Sequence, residues 1–165
     1  DEEKPDTNNR GIEFFECKIN GEPFEATSNF GCTGPRFNYY PEPFMDIPEG
    51  YMLLAGKNCI ESHTCGIRIY GYSGDEGLID FLSPITTDSI LPYHRLYPSD
   101  STESILYDQL VQGYVNIDEI VPRQSGNSPL GTIKGTFEFT VTDESGIDTI
   151  RVTEGRFRFD VPQIF

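Results

Sequence analysis

Four cysteines, Cys17, Cys32, Cys59 and Cys65, and two histidines, His63 and His94, are the residues of this 165-residue chain best suited to ligate a metal, carry a nucleophile or cross-link the backbone. No Cys-x-x-Cys pair is present, and the histidines do not stand at zinc-finger spacing, so a structural zinc site is not expected. Gly-x-Ser-x-Gly, His-Glu-x-x-His and P-loop patterns are also missing. A catalytic histidine needs a placed partner, and neither His63, at an expected loop tip, nor His94 has one in sequence. No catalytic residue, metal ligand or cofactor is therefore assigned. The cysteines have two readings left: disulfides formed in an oxidising compartment, or buried free thiols in a reducing one.

The chain carries 27 acidic residues. Asp143, Glu144 and Asp148 surround a Ser145-Gly146 turn, and Asp75-Glu76 sit in another. Calcium favours clustered oxygens, but EF-hand spacing is absent, and Asp and Ser are natural turn residues. Paired carboxylates could hydrolyse a glycosidic bond, yet their separation in space decides that chemistry and nothing in chain order selects a pair. A hydrolase of this kind is the rival class. Aromatic residues in loops are the most suggestive feature. Phe37, Tyr39, Tyr40 and Phe44 fall in one Pro-rich stretch, and Tyr93 and Tyr97 in another. Exposed at one end of a scaffold, they could stack on a sugar or a protein partner; turned inward, they would cap the core.

Net charge is −15. It divides as −7 over residues 1–50, −7 over 51–122 and −1 over 123–165. Such acidity disfavours nucleic-acid binding, which needs basic patches for phosphates, and also a polybasic attachment to anionic lipid. No run of eighteen apolar residues is present to form a spanning helix. Residues 1–11 are polar and charged and read as a flexible acidic linker. Residues 12–165 are expected to form a single antiparallel β domain. The chain opens at Asp1 without Met and reads as a mature or trimmed form.

The elements that must position these residues are strands. Asn20-Gly21 marks a hairpin pairing Cys17 with Phe24 and Phe15 with Ala26, its second strand placed at an edge by Pro23. Tyr51–Lys57 and Gly66–Tyr72 read as a second hairpin. If Cys59 faces Cys65, then Lys57 pairs with Ile67, Ala55 with Ile69 and Leu53 with Gly71, and one face is apolar. That register favours a Cys59–Cys65 disulfide and leaves Cys17–Cys32 as the other pair. Residues 84–100, with three prolines, read as loop. Asp100–Glu103 resembles a capping box for a short helix, although Ile105–Tyr107 reads equally well as a strand. The closing hairpin, residues 131–161, alternates apolar and polar residues and pairs Val141 with Ile150 and Phe139 with Val152. Beyond Glu154-Gly155 the apolar parity slips by one, which requires a bulge there and sets Phe157 opposite Gly135 and Phe159 opposite Ile133. In all, eight to ten strands and at most one short helix predict an all-β fold: an antiparallel β-sandwich or a partly open β-barrel.

Cys17-Lys-Ile-Asn-Gly-Glu-Pro-Phe-Glu-Ala near the start, Gly135-Thr-Phe-Glu-Phe, and Thr153-Glu-Gly-Arg-Phe near the end together resemble a family of uncharacterised Bacteroidetes envelope lipoproteins. The resemblance covers about residues 13–26 and 113–159. It implies a β domain of the bacterial cell envelope, at the outer membrane, tethered through a lipidated cysteine upstream of Asp1, with Asp1-Glu2-Glu3 as the acidic residues that follow such an anchor. It supplies no catalytic residues. The expected role is non-enzymatic binding or scaffolding with a glycan or envelope-protein partner. The alternative is a surface module for a glycan or small ligand, lipocalin-like if the sheet closes around a cavity.

Overall fold

The computed structural model describes residues 13–27, 34–40, 51–72, 75–81, 90–97, 104–122 and 130–160. They form eleven strands: β1 (Phe14–Ile19), β2 (Glu22–Glu25), β3 (Pro35–Tyr40), β4 (Tyr51–Asn58), β5 (His63–Tyr70), β6 (Gly77–Asp80), β7 (Ile90–Leu96), β8 (Ile105–Tyr107), β9 (Gln109–Pro122), β10 (Leu130–Thr142) and β11 (Thr149–Asp160). Two antiparallel sheets result, one in the order β2-β1-β11-β10-β9-β6, the other β3-β4-β5-β7-β8. Neither closes on itself, so the fold is a β-sandwich, not a barrel. No helix occurs among the described residues, and Ile105–Tyr107 is the strand β8.

The six-stranded sheet follows its sequence closely. Asn20 and Gly21 take φ of 50° and 88°, the two left-handed residues of a tight hairpin, and Cys17 pairs with Phe24. In the closing hairpin Val141 faces Ile150 and Phe139 faces Val152, and the ladder shifts between Phe137 and Phe139 to set Gly135 against Phe157 and Ile133 against Phe159. The bulge works differently from expectation in one respect. Glu154, not Gly155, takes the left-handed conformation, at φ 52°. Gly155 is needed for space: a Cβ there would meet the Phe137 carbonyl oxygen at 2.5 Å and its ring at 2.6 Å. The Phe137 ring in turn stacks on Phe15 with centroids 4.8 Å apart. At the tip, the ladder ends at Thr142–Thr149, so the loop is six residues long and not the two of Ser145-Gly146.

The five-stranded sheet departs further. Asn58 pairs with His63, which makes Gly56, not Cys59, the partner of Cys65. The turn sets this register. Asn58 Oδ1 accepts hydrogen bonds from the backbone N–H of Ile60 and Glu61, each at 3.0 Å, and Ser62 takes φ 58°. A short turn closed by an Asn side chain shifts the expected pairing by three residues, an odd number, and so turns Leu53 and Ala55 to the opposite face from Ile67 and Ile69. Residues 90–96, expected as loop, form the inner strand β7, with Pro92 opposite Ile67. Proline is tolerated because β8 pairs only with His94–Leu96, so among the described residues the strand has no partner beside Pro92 that its missing N–H would have to serve.

Phe15, Phe137, Phe157 and Phe159 from the larger sheet meet Phe37, Met52, Leu54 and Ile67 from the smaller in one core. Phe37 and Phe159 touch across the interface at 5.5 Å between centroids. Gly56 allows the sheets to close: a Cβ there would meet Phe15 Cδ1 at 2.5 Å and Ala26 Cβ at 2.8 Å.

Candidate binding face

The outer face of the five-stranded sheet carries the arrangement that composition does not foresee. Alternation points Phe37, Tyr39, Met52, Leu54, Cys65 and Ile67 into the core. The residues between them therefore face out. Across the sheet, one row reads Arg36, Ala55, Gly66, Tyr93; the row beside it reads Asn38, Leu53, Arg68, Leu91. On the other side of Gly66, Lys57, Thr64, Arg95 and Leu106 form a third row. Together these rows line a groove of about 700 Å³.

Small residues at its floor make the groove. Gly66 has no side chain, and the Tyr93 ring occupies the vacated space: a Cβ on Gly66 would meet Tyr93 Cε1 at 2.9 Å and Ala55 Cβ at 2.9 Å. Arg68 lies 5.8 Å from the centre of the Tyr93 ring, and Lys57 lies 5.8 Å from that of Tyr97. Arg95 Nη1 donates to the Tyr97 hydroxyl at 3.5 Å. Tyr51 and Tyr70 close one end with centroids 6.2 Å apart. Burial pushes the Tyr93 hydroxyl above its usual range, while Arg68 pulls it the other way, so the phenol is neutral at physiological pH.

The electrostatics of the two outer faces differ in degree, since Arg151 and Arg158 on the larger sheet also form no ion pair with a described carboxylate. On the larger sheet Lys18 pairs with Glu154 at 2.7 Å, Lys134 with Glu119 and Arg156 with Glu16. On the smaller sheet Arg36, Lys57, Arg68 and Arg95 form no ion pair with a described carboxylate, and Asp108 at the rim is the one described acid lining the groove. A third of the chain's twelve bases thus converge on one face of a protein of net charge −15, with Asp108 as the one acid among the described lining residues. Guanidinium groups beside aromatic rings suit a ligand that offers both negative charge and flat apolar surface.

The aromatic residues singled out by sequence divide. Tyr93 and Tyr97 flank the groove. Phe37 and Tyr39 are each 7% exposed and belong to the core. Tyr40 ends β3, with only its backbone described, and Phe44 lies outside the described residues. Neither expected disulfide forms between described cysteines as proposed: Cys17 and Cys65 are free and buried, which removes Cys59–Cys65 and Cys17–Cys32, while Cys32 lies outside the described residues. The register explains the first correction, since Cys59 falls in the turn and Cys65 points into the core opposite Gly56.

His63 and His94, far apart in sequence, meet on adjacent strands with ring centroids 5.5 Å apart. His94 is 2% exposed, and both its ring nitrogens lack a hydrogen-bond partner among the described residues. Burial, aided by His63, lowers its pKa to about 4. No group of three metal-ligating side chains occurs among the described residues. Asp143 is a turn residue: its carboxylate accepts from the Ser145 hydroxyl at 2.7 Å and from the backbone of Ile147 at 3.2 Å, and the Ser145 bond foremost holds its pKa below the usual range. Glu76 likewise accepts from the backbone N–H of Ile120, at 2.8 Å.

Comparison with protein families, curated proteins and solved structures finds no match to this chain.

Proposed function

We propose that the protein is a non-catalytic binding module that holds an acidic glycan on the outer face of its five-stranded sheet. The observation that carries this reading is the convergence of Arg36, Lys57, Arg68 and Arg95 with Tyr93 and Tyr97 around one groove. Sugar rings present apolar C–H faces that pack on tyrosine, and their carboxylate or sulfate groups accept paired N–H bonds from arginine. An acidic protein gains selectivity from this arrangement, because anions lacking a stacking face are repelled by the surrounding field. The hydrolase alternative has less support, since Asp108 alone among the described acids lines the groove, and two carboxyl groups are required.

The setting we propose is the bacterial cell envelope, with the domain tethered by an N-terminal lipid. What supports it is the resemblance of both terminal hairpins to envelope lipoproteins. Labelling of the full-length precursor with a radioactive fatty acid tests the tether, and an unlabelled product would remove it.

Affinity electrophoresis through gels cast with polygalacturonate, a sulfated glycan or a neutral glucan tests the ligand class. Retardation in an acidic gel, absent with the neutral glucan and weakened by salt, is expected. Equal mobility in all three would overturn the reading.

A further inference from the structure

Cys17 and Cys65 lie on different sheets and point into the same core. Cys17 faces inward from β1, two residues beyond Phe15. Cys65 faces inward from β5, opposite Gly56 on β4. Since the Phe15 ring fills the space over Gly56, the neighbouring positions on β1 and β5 are brought together as well. The two thiols are 6% and 0% exposed, and after burial it is the neighbouring Cys17 thiol that raises the pKa of Cys65.

We propose that Cys17 and Cys65 are the site of an inter-sheet disulfide, formed when the chain folds in the presence of a disulfide oxidant. Such a bond would link the first hairpin to the middle of the smaller sheet, a join that is otherwise made by packing and by Thr27, whose backbone N–H donates to the Lys57 carbonyl at 3.0 Å and whose hydroxyl accepts from the Cys59 N–H at 3.2 Å. The chemistry is thiol–disulfide exchange. One cysteine loses its proton, and its thiolate attacks a sulfur of a small-molecule or protein disulfide, releasing one half as a thiol. The second cysteine, deprotonated in turn, attacks the mixed disulfide and releases the other half. Two protein thiols lose two protons and two electrons, and the oxidant is reduced to two thiols. The sulfurs must approach from contact to about 2 Å.

The folded core resists this step. Exchange needs a thiolate and an in-line approach, and burial pushes the Cys65 thiol well above its usual range. Oxidation is therefore fast while the sandwich is open and slow once it has closed, and the finished bond is equally protected from reductant.

The test is oxidative refolding of the full chain in a glutathione redox buffer. Remaining thiols are then alkylated, and the product is digested with trypsin and a glutamate-specific protease. Cleavage after Lys57, Glu61 and Arg68 separates Cys65 from Cys59. A linked pair of peptides bearing Cys17 and Cys65 is expected, with a thermal midpoint raised on the order of 10 °C over the reduced protein. Cys59 is already disulfide-bonded, so Cys17→Ala and Cys65→Ala should each lower that rise to the share which the Cys59 bond alone supplies, and Cys59→Ala should keep the share due to the Cys17–Cys65 link. If either alanine variant fails to fold, the wild-type peptide map still decides. Cys65 linked to Cys59, Cys17 linked to Cys32, or both Cys17 and Cys65 alkylated after oxidative refolding would overturn the proposal.

Discussion

The Tyr93 ring lies over the backbone of Gly66, close enough that a Cβ added there would meet it at 2.9 Å. The two residues face each other across β5 and β7, so the glycine supplies the seat and the tyrosine the wall of the groove. An aromatic that covers a cross-strand glycine restores the packing the glycine lacks. Here the ring also stays within reach of Arg68.

Gly66→Val should lift the Tyr93 ring off the sheet and separate it from Arg68. Acidic-glycan affinity is expected to fall about tenfold, the measure of one lost stacking contact. Urea unfolding should show a loss of about 1–3 kcal/mol from overpacking beside Ala55. Titration calorimetry on the folded variant separates the two effects.

Arg68→Ala and Arg36→Ala remove charge without touching the core. Each should weaken acidic-glycan binding by about 1.5–3 kcal/mol and flatten its salt dependence, as loss of a charged hydrogen bond requires. Stability should change by less than about 0.5 kcal/mol, since both side chains are exposed. Calorimetric titrations at two salt concentrations check the first statement and urea unfolding the second.

His94 makes stability depend on acid. Its pKa is lowered from 6.5 to about 4 in the folded protein, so the unfolded chain takes up the proton first. Stability from this residue is full above pH 6.5 and is lost as pH falls from 6.5 toward 4. The loss at pH 5 should be about 2 kcal/mol. His94→Gln should remove that slope, measured as urea midpoints between pH 7 and pH 4.5.

Gly155→Ala should destabilise the protein by about 1–3 kcal/mol, because Phe137, held between Phe15 and Phe139, cannot yield to the new methyl. Gly146→Ala should cost about 1 kcal/mol for a different reason: its φ is 71°, and no atom lies within 4 Å of the added Cβ. Urea denaturation of the two variants compares space with backbone strain.

Both terminal hairpins are legible in sequence because each has one apolar face and a turn whose residues fix the register. Asn20-Gly21 does so for β1 and β2, and the parity change at Gly155 announces the bulge. The β4–β5 hairpin is misread because Leu53-Leu54-Ala55 offers apolar residues of both parities. Alternation then leaves the register open, and a pairing of Cys59 with Cys65 satisfies it falsely. The turn is decided by the Asn58 side chain, whose bonds to Ile60 and Glu61 are not a pattern of hydrophobicity. That same slip conceals the candidate site. Once Leu53 and Ala55 turn outward, Arg36, Arg68 and Tyr93 share their face, though they come from three separate strands. The β7 strand is hidden by Pro92, which is harmless only because β8 is short. Tyr93 and Tyr97 stand out on composition alone, while the arginines beside them are visible only in the assembled sheet.

The location of the ligand is tested most directly by titrating isotopically labelled protein with an oligogalacturonate and following backbone amide resonances. Shifts should concentrate at Arg36, Ala55, Gly66, Arg68 and Tyr93, and the residues around Lys18, Lys134 and Arg156 on the opposite outer face should stay unchanged. Shifts confined to that opposite face, or none at saturating ligand, would contradict the assignment of the five-stranded sheet as the binding face.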